Sequence, residues 1–119
     1  MSTLVVDTLT NQEPQLCKAW VNFNGTGAVA IRAAYNVSSI TDNATGDYTI
    51  NFTNTMPDAN YTVIGTREWQ DNFNGNVSTI SIRDGYTPLS TSVRVVSVNG
   101  NFSAGGLSDC DYGYVTIFR

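Results

Sequence analysis

The feature that most limits how this chain can fold is a period-two alternation of apolar and polar residues, which returns roughly every ten to fifteen positions. In DYTINFT, for example, Tyr48, Ile50 and Phe52 alternate with polar residues. Successive side chains of a strand point to opposite faces, so this pattern predicts a strand with one buried face. Apolar residues at the three-four spacing of a helix are absent from every window of helical length. The chain is therefore predicted to be all-β.

Further strands are predicted in KAWVNF, AVAIRAAYNV, NYTVIGTREW, NVSTISIRD, TSVRVVSVNG and GYVTIFR. The last run is apolar on both faces and should lie in the centre of a sheet or under another subunit. Asn43–Gly46 predicts a hairpin with Gly46 in the left-handed conformation, and Pro88 marks a connection or a strand edge. A chain of 119 residues has room for one domain. We predict a single β-sandwich or jelly-roll-like domain over residues 17–119, preceded by a short N-terminal β-arm over residues 1–16.

Charge and composition argue against several classes of partner. The net charge is −4 and Lys18 is the only lysine, so the chain has no basic stripe to neutralise a phosphate backbone, and no nucleic-acid partner is expected. The N-terminus MSTLVVDTLTNQEPQ has no basic region and only a short apolar patch, so we expect neither a signal peptide nor membrane insertion.

The residue types usual in catalytic and metal sites are scarce. Histidine is absent, which removes the Ser-His and Cys-His arrangements of nucleophilic catalysis. Without histidine, Cys17 and Cys110 cannot complete a four-ligand zinc site, so neither a metal nor a cofactor is expected. The two cysteines could pair in principle, but without an export signal two buried free thiols are favoured.

Paired carboxylates are the remaining general acid–base candidates, namely Asp109 with Asp111 and Glu68 with Asp71. Their surroundings are hydrophilic and loop-like, which favours solvated turn acids over catalysis. QDNFNGN differs from an EF-hand loop because Gln70 stands where the first acidic ligand should be, although a calcium site shared between subunits stays open. A polysaccharide-degrading enzyme is the least supported hypothesis, and we predict a protein that is not an enzyme.

Gly25 and Gly27 stand one residue apart between two apolar runs, a spacing that also occurs in phosphate-binding loops. A dinucleotide fingerprint needs a third glycine, where this chain has Ala30, and a following helix. No Lys-Ser/Thr pair follows either, which excludes a Walker loop. We predict instead a hairpin turn between KAWVNF and AVAIRAAYNV, with positive φ available at both glycines.

An aromatic, Asn-rich segment around Trp69 is the predicted ligand-binding region. Sugar rings stack on aromatic faces, and Asn or Asp side chains bind hydroxyl groups, so Trp69 with Tyr61 and Phe73 would form a platform for a glycan or other receptor. A core position for Trp69 at a strand end is the alternative. Trp20 is predicted to lie in the core or in an interface. The predicted ligand-binding residues are Trp69, Asp71, Asn72, Phe73, Asn74 and Asn76.

The block CKAWVNFNGTGAVAIRAAYNVSSITDNATGDYTINFTNTMPDANYTVIGT, residues 17–66, resembles a segment of tailed-bacteriophage tail-fibre and related virion proteins, especially those of marine and cyanobacterial phages. There a KAW-V-F-G-G opening leads into NVSSITDN-TGDY-V-F and then MPDANY, in the order found here. The start STLVVDTLTN is similar to a short β-arm at the head of such proteins. Residues 67–119 match only in character, so receptor specificity would reside in the loops near Trp69–Asn76 and Gly100–Asp111.

The resemblance implies a non-enzymatic virion component, assembled in the host cytoplasm, whose β-domain forms a homotrimeric fibre head that attaches to the host surface. Residues 1–16 are too short for the shaft that such fibres commonly have. The chain would then be a fibre tip, a short receptor-binding head, or a capsid decoration (cement) or head-fibre protein that stabilises the phage head. Leu4, Val5 and Val6 would form a docking arm that adds a strand to a neighbour or to the particle. The implied partners are further copies of the chain, other virion proteins and a host surface glycan or protein.

Overall fold

The computed structural model describes residues 16–68, 77–100 and 105–119, and every regular element in these ranges is a β-strand. The all-β prediction is confirmed. The strands are β1 (Cys17–Asn24), β2 (Ala30–Tyr35), β3 (Val37–Ala44), β4 (Asp47–Phe52), β5 (Thr62–Arg67), β6 (Val77–Ile82), β7 (Ser92–Gly100), β8 (Gly105–Leu107) and β9 (Gly113–Phe118).

These strands form two antiparallel sheets that pack face to face. Sheet A has the strand order β2-β1-β9-β5, and sheet B has the order β3-β4-β7-β6, with β8 also paired to β7. Hairpins join β1 to β2 and β3 to β4, whereas the connections after β2, β4, β5 and β8 pass from one sheet to the other. The architecture is that of two packed layers, as expected for a sandwich.

The chain crosses from sheet A to sheet B at Asn36. Its φ of 56° breaks the extended backbone between Tyr35 and Val37, a conformation that asparagine tolerates better than most residues. The Asn36 Nδ2 group donates to the carbonyl oxygens of Lys18, at 3.0 Å, and Asn54, at 3.1 Å, which holds the corner in place. The single strand predicted for AVAIRAAYNV is therefore too long, because β2 ends at this corner.

The core lies between the sheets and follows the alternation seen in the sequence. Tyr48, Ile50 and Phe52 all point inward from β4, as predicted. The rings of Tyr48 and Phe23 meet edge to face with their centroids 5.2 Å apart, which joins the two sheets. The other buried apolar residues of this cluster are Ala19, Val21, Met56, Tyr61, Ile80, Val93, Val95, Cys110, Val115 and Ile117.

The C-terminal strand β9 lies between β1 and β5, so its predicted central position is confirmed. Val115 and Ile117 point into the core, where both are almost completely buried. Tyr114 and Phe118 point to the outside of sheet A and are exposed. The second apolar side of this strand is thus part of the molecular surface.

Glycines close both predicted hairpins, but not in the way predicted for the first. Gly27 (φ 58°) and Gly46 (φ 64°) adopt the left-handed conformation. Gly25 does not, so the prediction of positive φ at both glycines of the first turn is wrong. The Gly25 N–H donates to the Cys110 carbonyl at 2.7 Å, and an added Cβ would lie 2.7 Å from Cζ of Tyr48. Glycine is required there because the backbone approaches the Tyr48 ring closely.

The region Gly100–Asp111, predicted to hold a recognition loop, contains the short strand β8. Its residue Leu107 pairs with Val98 of β7, and Gly106 pairs with Asn99. Two glycines in three residues leave no alternation by which this strand could be recognised in the sequence.

Candidate functional site

The residues predicted to bind a ligand lie outside the described ranges. These are Trp69, Asp71, Asn72, Phe73, Asn74 and Asn76, and the docking-arm residues Leu4, Val5 and Val6 also lie outside them. The residues adjoining the predicted recognition loops are described, and Val77 pairs with Gly100. The Glu68 N–H donates to the Tyr112 carbonyl at 2.9 Å. Glu68, the last described residue before Trp69, therefore lies beside Tyr112.

Tyr61, predicted to form part of the platform with Trp69, belongs to the core instead. Its ring packs edge to face on Phe52 with centroids 5.7 Å apart, and its hydroxyl lies 2.8 Å from the Leu89 carbonyl and 3.1 Å from that of Ser92. Burial raises the pKa of Tyr61 to about 12. Because its ring and hydroxyl are both engaged, this residue is not available to a ligand.

A large exposed apolar surface covers the outward side of sheet A. Ala19, Val21 and Phe23 of β1 point into the core, so Trp20 points outward. We call this surface the aromatic face, and its large exposed side chains are Trp20, Tyr35, Ile64, Tyr112, Tyr114 and Phe118. The prediction left Trp20 between the core and an interface, and the structure excludes the core.

Strand register aligns part of the aromatic face in one row across sheet A. Tyr35 of β2 pairs with Trp20, Trp20 pairs with Thr116, and Thr116 pairs with Ile64 of β5. The exposed fraction is 56% for Tyr35, 40% for Trp20 and 52% for Ile64. Tyr35 and Trp20 are therefore direct neighbours on this surface, and Thr116 lies between Trp20 and Ile64.

A second group on the aromatic face contains a stacked cation. The guanidinium carbon of Arg32 lies 3.8 Å from the centroid of the Tyr112 ring. The rings of Tyr112 and Tyr114 are nearly parallel, with their centroids 6.5 Å apart. This stacking holds the Arg32 guanidinium flat against the Tyr112 ring, so the cation is part of the aromatic face.

The charges on sheet A differ from those of the whole chain. Its four strands, all within the described ranges, contain Lys18, Arg32 and Arg67 and no Asp or Glu, although the chain carries a net charge of −4. Arg67 points inward, where Nη1 donates to the hydroxyls of Ser97 at 2.9 Å and Ser108 at 2.7 Å. Lys18 and Arg32 therefore make the strands of the aromatic face basic.

Asp109, one of the candidate general acids, has a structural role. Its Oδ1 accepts the Gly46 N–H at 2.8 Å and lies 2.9 Å from the Tyr48 hydroxyl, which is also 3.0 Å from the Gly25 carbonyl. Burial, and then the hydrogen bond to Asp109, raise the pKa of Tyr48. The prediction of a solvated turn acid is wrong for Asp109, because its carboxylate ties the segment before β9 to the β3–β4 hairpin.

Cys17 and Cys110 are free thiols at opposite ends of sheet A. Cys17 pairs with Phe118 in the β1–β9 ladder, whereas Cys110 precedes Gly113, which pairs with Phe23 at the other end. A disulfide needs Cα atoms within about 7 Å of each other, so the two residues cannot pair within one chain. Cys110 is buried, and burial raises the pKa of its thiol, while Cys17 is half-buried.

Within the described ranges, no group of three or more His, Cys, Asp or Glu side chains is arranged to hold a metal ion. Those ranges also hold no helix long and apolar enough to cross a membrane. No family model, curated protein or solved structure matches the chain. The aromatic face is thus the candidate site that the described residues offer.

Sequence analysis did not identify this site, although part of it was visible. Alternation alone places Tyr114 and Phe118 on the same side of their strand and sets Ile64 apart from the inward residues of β5. The sequence does not show that these residues, Trp20 and Tyr35 share one surface, because they come from four strands whose order depends on long-range pairing.

Proposed function

We propose that this chain is a non-enzymatic structural component of a tailed-phage virion, of the tail-fibre or receptor-binding type, which mediates attachment to the host surface. In this proposal the protein is a homotrimer, is assembled in the host cytoplasm and requires no cofactor. The resemblance of residues 17–66 to tail-fibre proteins supports the class of protein. The aromatic face supports a role in binding.

The aromatic face is the observation that carries this proposal. Contiguous exposed apolar surfaces on soluble proteins commonly mark sites of interaction, and aromatic and Arg side chains are enriched in the centres of interfaces, where Asp and Glu are depleted. The row Tyr35–Trp20–Thr116–Ile64 and the stacked Arg32 have this composition. Three of its large side chains, Trp20, Tyr35 and Ile64, belong to the block that resembles tail-fibre proteins.

A host receptor would contact the aromatic face together with the loop that follows β5. The hydrogen bond from Glu68 to Tyr112 fixes the start of this loop next to the stacked pair Tyr112 and Tyr114. Trp69 and the Asn-rich residues after it would then add recognition groups at one end of the face. A surface glycan suits this combination, since its rings stack on aromatic side chains and its hydroxyls bind amide groups.

The proposal is tested by binding of the purified, fluorescently labelled protein to a panel of marine bacterial and cyanobacterial strains. We expect saturable binding to at least one strain, and at least tenfold weaker binding for the double variant Trp20→Ala/Tyr35→Ala, because Trp and Tyr dominate binding energy in interfaces. Leu89→Ala is the control, since Leu89 is a large exposed apolar residue that lies outside sheet A.

Two outcomes would count against this function. Absence of binding to every strain would contradict a role in attachment. Equal binding by the wild type and the double variant would remove the aromatic face from the proposal. Light scattering on each variant determines whether a loss of binding reflects a change in oligomeric state.

A capsid decoration or head-fibre protein is the second candidate. An exposed apolar face also suits a protein that lies against a shell, and Lys18 and Arg32 would complement an acidic shell surface. Images of the intact virion separate the two functions. A few three-fold copies at the tail would favour attachment, whereas many copies over the shell and heat-sensitive particles in its absence would favour decoration.

A further inference from the structure

The two flanks of the molecule, where the edge strands of the two sheets come together, are built differently. On one flank β5 and β6 are in contact, and an added Cβ at Gly65 would lie 2.7 Å from the Ile80 carbonyl oxygen. On the other flank β2 is an edge strand, and all of its residues, Ala30–Tyr35, are exposed. Among the described residues no strand pairs with the outer edge of β2. Every second residue of β2 therefore directs its N–H and C=O away from the sheet.

β2 also lacks the side-chain features that usually protect an edge. It contains no Pro or Lys, and Arg32, its one charged residue, is stacked on Tyr112. β3, the edge strand of sheet B on the same flank, is irregular at two places in its ladder to β4, Val37/Ser39 and Asp42/Ala44. The ladder of β2 to β1 is irregular at one place, where Arg32 is the extra residue, so Ala33–Tyr35 form the regular part of this edge. Of these two edges, β2 is better suited to accept another strand.

The N-terminal segment of the chain has the composition to occupy this edge. Residues 2–8, STLVVDT, are rich in the β-branched residues that strands favour. Residues 1–15 contain Asp7 and Glu13 and no Lys or Arg, whereas the strands of sheet A contain three basic residues and no acidic one. The segment and the sheet therefore have complementary charge.

Strand direction favours a segment that comes from a second copy of the chain. The segment joins β1 at Leu16, near the end of sheet A where Tyr35 lies opposite Trp20. β2 runs towards this end, so a segment of the same chain that leads straight from the β2 edge into β1 would pair parallel to β2. A segment from another copy is free to run the opposite way, and antiparallel pairing is the more stable per residue.

We propose that Leu4, Val5 and Val6 of one copy add an antiparallel strand to the outer edge of β2 in a second copy. The added strand extends sheet A next to Tyr35 and leaves the aromatic face open. Fifteen extended residues span up to about 50 Å, which is long enough to reach a neighbour. This inference goes beyond the proposed function, because a protein in any role can assemble in this way.

Disulfide cross-linking between two differently tagged full-length chains tests the proposal. Both chains carry Cys17→Ser, which leaves the buried Cys110 as the remaining native thiol. One chain carries Val5→Cys and the other Ala34→Cys, and Ala34 is exposed in β2. After mild oxidation we expect at least tenfold more mixed dimer than with the control partner Ser81→Cys, which is exposed on sheet B. Val6→Cys and Ala33→Cys cover the alternate register.

Two results would overturn the proposal. One is equal cross-linking to the β2 position and to the Ser81 position. The other concerns a single chain that carries both Val5→Cys and Ala34→Cys. If cross-links form only within this chain and dilution does not reduce them, the segment pairs with the β2 edge of its own chain.

Amide hydrogen exchange provides a second measurement that needs no added thiol. Val5→Pro removes a backbone donor from the segment, so exchange of the β2 amides is expected to be at least tenfold faster than in the wild type, with β9 unchanged. Asn11→Pro, outside the pairing residues, is the control. Equal exchange of β2 in the Val5→Pro variant and in the wild type would contradict strand addition.

Discussion

On the outward side of sheet B polar side chains bond to one another, whereas on the outward side of sheet A large apolar side chains are left exposed. Asn51 Nδ2 donates to Ser39 Oγ at 3.1 Å and to Thr41 Oγ1 at 3.0 Å, and Asn43 Nδ2 donates to Thr49 Oγ1 at 2.8 Å. We call this outward side of sheet B the polar face. Its hydrogen bonds link β3 to β4 and require no partner outside the chain.

The polar face also contains the ion pair between Asp47 and Arg94. Arg94 Nε donates to Asp47 Oδ1 at 2.7 Å and Nη2 donates to Oδ2 at 2.8 Å, while the guanidinium stacks 4.0 Å from the Tyr86 ring centroid. The bonds from Arg94 lower the pKa of Asp47 although burial opposes this shift. Such a two-point contact between neighbouring strands stabilises the fold itself.

The difference between the faces assigns them different roles. Side chains of the polar face satisfy each other, so their removal should lower the stability of the isolated chain. Side chains of the aromatic face have few such contacts, so their removal should affect binding far more than stability. Measurements of the free energy of unfolding can break or sharpen this comparison.

The largest expected effect is that of Arg94→Leu. The variant leaves Asp47 almost buried without its two-point partner, with Asn43 Nδ2 at 3.4 Å and Arg83 Nε at 3.9 Å left beside its carboxylate. We expect the free energy of unfolding to fall by roughly 2–3 kcal/mol. This value is at or below the lower end of the range for breaking a fully buried pair, because the Arg94 side chain is 24% exposed. Urea denaturation measures the loss, and Arg94→Lys, which keeps the charge, should lose less. A loss below about 0.5 kcal/mol, typical of surface substitutions, would contradict a stabilising polar face.

A smaller loss of stability is expected for the wild type at acid pH, where Asp47 becomes protonated. Its pKa lies below the ordinary value of 3.8, so the contribution of the pair is present above about pH 4 and is lost as the pH falls through the lowered pKa. Asp58, paired with Arg119 away from both faces, has its pKa lowered to about 2 and acts in the same direction. In Arg94→Leu this loss should be reduced, since the Asp47 pKa is no longer held down. An equal loss between pH 5 and pH 2 in the wild type and the variant would exclude Asp47 as the cause.

Asn51→Ala should cost about 1 kcal/mol, the usual worth of a hydrogen-bonded side chain, because Ser39 and Thr41 stay partly exposed to water. Thermal unfolding of this variant and of Thr45→Ala, an exposed turn residue, provides the comparison. Equal melting temperatures for the two variants would show that the hydrogen bonds from Asn51 to Ser39 and Thr41 do not stabilise the chain.

The features that could be predicted from the sequence are those that depend on local patterns. Alternation correctly placed Tyr48, Ile50 and Phe52 inward, and the turn sequence correctly placed Gly46 in the left-handed conformation. Alternation was insufficient in β1, because Trp20 on one side and Phe23 on the other are both apolar, so neither side could be chosen as the core.

Contacts between distant residues could not be predicted at all. Asp109 bonds to Gly46 and Tyr48, more than sixty residues earlier in the chain, and nothing in its own neighbourhood distinguishes it from a solvated turn acid. The aromatic face depends in the same way on strand order, since β9 separates β1 from β5. The residues predicted to bind a ligand, from Trp69 to Asn76, stay a prediction.

The smallest effect on stability is expected for Trp20→Thr on the aromatic face. Threonine suits a strand, and Trp20 points away from the core, so the free energy of unfolding should change by less than about 0.5 kcal/mol. Val21→Thr, at the adjacent inward position, is the matched control and should cost more, because it places a hydroxyl in the core. If Trp20→Thr destabilises the chain as much as Val21→Thr does, the side chains of the aromatic face stabilise the fold and are not available mainly for binding a partner. The distinction between the two faces would then fail.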